Sequence, residues 1–153
     1  MTFPMVTPYF VALRFVGLKE KAGAEHSAGV LAMLQLDDRS IRTDETPWCS
    51  AFVNYIAWLL GLPRSKSLAA RSWLTVGQHI TMQEAKPGSD IVVLSRGPNA
   101  PPASVRHAPG HVGFFVSVNT TRGTVRVLGG NQSDQVCVED FPLERVLDVR
   151  RLA

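Results

Sequence analysis

The sequence predicts an α+β fold, with helices in the N-terminal half packed on a C-terminal antiparallel β-sheet. Three observations lead there. Apolar residues of the first half recur at helical spacing, the chain after Pro87 breaks into short β-rich runs bounded by turn signals, and those runs follow one another through short connections.

In chain order, residues 9–18 (YFVALRFVGL) have the length of a short helix, with Gly17 near its end. Residues 27–36 (SAGVLAMLQL) predict a second, with Ser27 as N-cap and Val30, Leu31, Met33 and Leu34 at roughly helical spacing. The polar run 37–46 reads as a solvated loop. Its acids Asp37, Asp38 and Asp44 lack the regular spacing of a calcium loop. Pro47 then stands at a helix start, where a missing amide hydrogen does no harm. Residues 48–60 (WCSAFVNYIAWLL) are apolar around nearly the whole circumference, which predicts a helix buried on most sides and ended by Gly61 and Pro63. A further short helix is expected over 68–76. Strands are expected over 90–94, 111–118, 124–128, 135–139 and 146–150, with turns at 97–102, 109–110, 119–123 and 129–130.

The 153 residues suit one domain spanning 1–153. Sixteen Lys and Arg against thirteen Asp and Glu leave a formal charge of +3, scattered rather than run together, which speaks for solvated surface and against a nucleic-acid partner. Residues 1–16 carry Pro4, Pro8 and Arg14 where a signal peptide needs an unbroken apolar core, so they are read as the first helix and the protein as cytoplasmic in the producing cell. No run reaches the roughly 20 apolar residues of a membrane span, so stable membrane insertion is not expected. The expected form is a monomer.

Two cysteines, Cys49 and Cys137, make no disulfide framework. Cys49 falls in the first turn of the buried helix, where free amides and the helix dipole favour a thiolate, whereas Cys137 reads as strand interior. A nucleophilic thiol needs a base, and His111, opening a strand after Pro109 and Gly110, is the best placed; His107 sits in the Pro-rich loop, and His26 and His79 flank helices. A third group must hold the imidazole tautomer, and Asn131, after a strand and two glycines, is the candidate from LGGNQSD. The chain has no CxxC or HExxH, so neither zinc nor another cofactor is expected.

The ordered series TPWCSAFVNYIAWLLG, AARSWL, KPGSDIVVLSRG, GHVGFF, LGGNQSDQV and RVLDVRR resembles the CHAP and NlpC-like cysteine amidohydrolases, above all the compact type found in phage endolysins. The resemblance runs from about residue 17 to 151. It implies a papain-like fold and a Cys49–His111–Asn131 thiol mechanism, with Gln132 or Asp134 able to share the third role. It also sets Trp48, Arg71, Ser72, Trp73 and Gln132 around the substrate, as pocket walls or packing. The implied substrate is bacterial peptidoglycan, cut at a stem-peptide amide after holin-type release or secretion. A secreted antibacterial amidase toxin and a noncatalytic wall-binding domain are the rival readings. Two departures stand out: Ser89 is inserted ahead of Asp90, and a long Pro-rich loop, residues 97–109, precedes the histidine.

Overall fold

The computed structural model describes residues 5–21 and 25–153. Met1 and Pro4, which entered the reading of the N-terminal segment, lie outside the described residues. Helix α1 (Pro8–Ala12) opens with proline at its first turn and with the Thr7 hydroxyl accepting the Phe10 amide at 3.2 Å. It tightens into a 3₁₀ turn over Leu13–Phe15 and stops at Gly17, whose φ is +98°. The helix predicted over 9–18 is therefore shorter, because its last residues serve the sheet instead. The Gly17 amide donates to Val136 O, the Val136 amide to Leu18 O and the Glu20 amide to Asp134 O, at 2.8–3.0 Å.

Helix α2 (Ala28–Gln35) starts as predicted, with the Ser27 hydroxyl accepting the Val30 amide. Asp44 departs from its reading as solvated loop. It is wholly buried, accepts the amides of Lys21 (2.9 Å) and Ser27 (2.8 Å), and meets His26 Nδ1 at 3.1 Å. Burial pulls its pKa up, but these hydrogen bonds outweigh it and hold the carboxyl below its ordinary range.

Helix α3 (Cys49–Leu59) buries eight of its eleven residues, the all-round burial its composition predicts. Its buried polar residues, Ser50 and Asn54, lie one turn apart and face the segment 65–67. Ser50 Oγ donates to Ser67 O and receives Trp73 Nε1 at 2.9 Å, while Asn54 bonds Ser67 O, Ser65 Oγ and the Lys66 amide. In place of the helix predicted over 68–76 stands a 3₁₀ turn, Ala70–Thr75. The turn gives way at Gly77, where φ is +69° and the backbone passes so close to Arg151 that a Cβ there would lie 2.3 Å from Arg151 O.

The sheet is six-stranded and antiparallel throughout, in the order β1-β6-β2-β3-β4-β5. Its strands are β1 (Gln78–Ile80), β2 (Asp90–Ser95), β3 (Gly110–Asn119), β4 (Thr124–Gln132), β5 (Gln135–Pro142) and β6 (Val146–Arg151). The five predicted strands are present. The sixth, β1, has three residues, too few to carry an alternating pattern. Alternate residues supply two cores. Ile91, Val93, Val112, Phe114 and Leu128 face α3 around Phe52, whereas Val92, Leu94, Phe115, Val125 and Val127 fill the other face with Phe141 and Val146. Phe52 and Phe114 meet edge to face at 6.1 Å, which seats the N-terminal half of α3 over β3 and β4. Asp90, behind the inserted Ser89, is a structural residue: it accepts Arg151 Nε at 2.7 Å and Nη2 at 2.8 Å, joining β2 to β6.

Candidate active site

Cys49 is the first residue of α3, and its buried thiol lies within the influence of the backbone amides of Val112 on β3 and of Ser50, which pull its pKa down. Val112 follows His111 directly on β3: Val112 faces α3, the His111 ring packs against Phe141 of the other core, and the Arg96 guanidinium acts on both thiol and imidazole. Burial pushes the Cys49 thiol up, against the pull of these amides and of the Arg96 guanidinium. This corrects the expectation of a thiolate favoured by the helix start: desolvation of a closed site exceeds the helix-end effect, and the resting sulfur holds its proton.

His111 is 6% exposed on β3, and its Nε2 lies 2.9 Å from Gln132 Oε1. Burial lowers its pKa first, and Arg145 and Arg96 lower it further, against the Gln132 hydrogen bond, which raises it. The amide of Gln132 is oriented by its own nitrogen, which donates to Val127 O at 3.2 Å and Cys137 O at 2.8 Å. Its oxygen must therefore face the ring and accept Nε2–H, which leaves His111 Nδ1 unprotonated and free to take a proton.

Asn131 is not the residue that meets the imidazole; Gln132 is. Along a regular strand Val127, Gly129 and Asn131 would share the His111 face. A bulge between Gly129 and Gln132, with Asn131 in the left-handed region at φ +56°, breaks the alternation and gives that face to Gln132. Glycines 129 and 130, read in the sequence as a turn, lie inside β4. A Cβ on Gly129 would sit 2.4 Å from Gln132 Oε1, and one on Gly130 would sit 2.7 Å from the Trp48 ring. The pair makes room for the site, and the chain turns at Ser133 and Asp134 instead, both at positive φ. Asp134 is exposed and does not reach the ring.

The expected substrate-facing set is largely interior. Trp48 and Trp73 are wholly buried, their ring nitrogens bound to Glu20 Oε1 (2.6 Å) and Ser50 Oγ. Arg71, also wholly buried, donates to the carbonyls of Pro101, Pro102, Val105 and Pro109 at 2.8–3.1 Å. It is the clamp that fixes the Pro-rich loop and the start of β3, with four of its five N–H donors used on backbone carbonyls. Ser72 is half-buried and donates to Ala69 O, in a depression lined by neither Cys49 nor His111. Arg71→Met strands four carbonyls and is expected to cost about 3 kcal/mol, a fall of about 10 °C in Tm, with new protease cleavage in 97–109. Calorimetry and limited proteolysis read both effects.

Sequence reasoning passed over Arg96, Glu139, Phe141 and Arg145, which line a cavity of about 210 Å³ beside His111. Two of these sit in the strand interior of β5 and one in the turn before β6, so local pattern gives no sign of them. Among the described residues no helix is long and apolar enough to cross a membrane.

A buried central helix that starts at a cysteine and packs on an antiparallel sheet carrying a histidine bound to a side-chain amide defines the papain-like class of fold. Within that class the chain belongs to the CHAP-domain family, whose model matches residues 41–131, spanning Cys49 and His111 and ending one residue before Gln132. The solved structure of NlpC1 from Trichomonas vaginalis shares the fold, with a TM-score of 0.58 and 17% identity over 99% of this chain. This chain spans 46% of that one, less than half its length. No curated protein sequence matches the chain.

Proposed function

We propose that the protein hydrolyses an amide of the peptidoglycan stem peptide, as an N-acetylmuramoyl-L-alanine amidase or a D,L-endopeptidase, with Cys49 as nucleophile, His111 as base and Gln132 as the residue that positions His111. The observation that carries this reading is the tautomer imposed on His111: Gln132 occupies Nε2 and leaves Nδ1 as an acceptor, on the residue directly before Val112, whose backbone amide bears on the Cys49 thiol. His111 takes the thiol proton as sulfur attacks the amide carbonyl. Backbone amides at the start of α3, including that of Cys49, steady the oxyanion. The intermediate collapses to a thioester, the imidazolium gives its proton to the leaving amine, and water attacks the thioester with His111 again as base.

Both pKa directions predict a neutral thiol and a neutral imidazole at rest. The acid limb of kcat/KM is then expected below the ordinary histidine value of about 6.5, because protonation of His111 removes the base only once pH falls through its lowered pKa. Alkylation of free enzyme by iodoacetamide should be slow near neutrality and climb above the ordinary cysteine value of about 8.5. An acid limb above 7 would contradict the assignment.

Mass spectrometry of fragments released from defined peptidoglycan tests the substrate. A new amine on the alanine next to muramic acid identifies an amidase, an interior stem cut identifies an endopeptidase, and no release refutes the proposal. The setting we favour is that of an endolysin, cytoplasmic until released to the wall. Co-expression with a holin should then lyse the host and expression alone should not.

A further inference from the structure

The cavity beside His111 carries more positive charge than the reaction requires. Its charged lining comprises Arg96, Arg145 and Glu139, two guanidinium groups to one carboxylate. Neither arginine takes part in an ion pair among the described residues. Glu139 is tied to the cavity wall, its Oε1 accepting the Ser133 hydroxyl at 2.6 Å.

Arg145 is held in place rather than loose. Its Nε donates to Ser95 O at 2.9 Å, and its guanidinium carbon lies 5.2 Å above the Phe141 ring centroid. Phe141 in turn lies against the His111 imidazole, with ring centroids 5.2 Å apart. The fork of Arg145 is thus fixed relative to the base. Arg96, exposed just past the end of β2, adds a second charge on the same cavity. Two guanidinium groups around a small polar cavity suit a carboxylate, which accepts from planar N–H donors in pairs.

The chemistry decides which part of the substrate reaches this cavity. The nitrogen that leaves must touch His111 to receive its proton, and His111 is a wall of this cavity, so the substrate segment nearest the two arginines is the one attached to that nitrogen. We infer that Arg96 and Arg145 bind a free carboxylate on the leaving-amine side of the scissile bond, and that the enzyme prefers stem peptides in which that carboxylate is not amidated. The inference rests on the peptidoglycan reading and adds a specificity to it.

Muramyl tetrapeptides in which each stem carboxylate is singly converted to carboxamide provide the test, with kcat/KM measured for every form. Amidation of the first carboxylate on the leaving side is expected to lower kcat/KM about tenfold, chiefly through KM. Arg96→Gln, which removes an exposed side chain, and Arg145→Gln should each bring the ratio between the two forms near one. Equal rates for both forms in the wild type, a preference that follows an acyl-side carboxylate, or a preference that survives both substitutions would overturn the inference and leave the peptidoglycan reading standing. Failure to cleave any of the muropeptides would overturn both.

Discussion

Cys49→Ala is expected to reduce the release of muropeptides from purified cell walls by at least roughly 10⁴-fold, with the circular dichroism spectrum unchanged. The size follows from what the sulfur does: without it no thioester forms, and water must attack the amide directly, helped only by bound-substrate alignment and the amides at the start of α3. The fold should tolerate the change. The side chain lost is small, and it is one minor member of a core anchored by Phe52 and Phe114. Removing one buried sulfur is expected to cost about 1 kcal/mol. Cys137→Ala is the control for loss of a thiol as such: Cys137 lies on β5 and donates to Gln132 O at 3.3 Å, so its loss should leave thioester formation intact even where it loosens Gln132. Wall clearing that persists in Cys49→Ala rejects the thiol mechanism, and with it the use of His111 as base.

How far the sequence carries depends on whether a residue's role is local. Ser27 as cap of α2, the buried helix 49–59 and the strands after Pro87 are set by neighbours within a few positions, and period and turn chemistry reveal them. Cys49 and His111 stand out because residue type coincides with an element boundary. What escapes is set by contacts distant in sequence. Arg71 looks like a surface or pocket arginine until the carbonyls of 101–109 close on it, 30 to 38 residues away. Asp44 looks solvated until Lys21, His26 and Ser27 converge on it. Gly129 and Gly130 have the composition of a turn, yet their missing side chains are needed by Gln132 and Trp48. The substitution of Gln132 for Asn131 belongs here too, because a single bulge exchanges which of two adjacent residues faces the histidine.

Gln132→Ala is expected to lower kcat about 10²- to 10³-fold, whereas Asn131→Gly should lower it less than tenfold. Glycine is the right partner substitution because Asn131 sits at φ +56°, where alanine would add backbone strain to the loss of a side chain. In Gln132→Ala the ring loses the acceptor at Nε2, both tautomers become available, and the proton can rest on the nitrogen needed as base. A purely structural role for Gln132 predicts lost stability with kcat per folded molecule intact. Gln132→Glu separates the two. Its carboxylate still accepts Nε2–H but no longer donates to Val127 O and Cys137 O, and its charge favours the imidazolium. The His111 pKa should rise, and the acid limb of the pH–rate profile should move to higher pH while turnover persists at the alkaline end. An unmoved acid limb in Gln132→Glu, together with a larger loss in Asn131→Gly than in Gln132→Ala, would return the positioning role to Asn131.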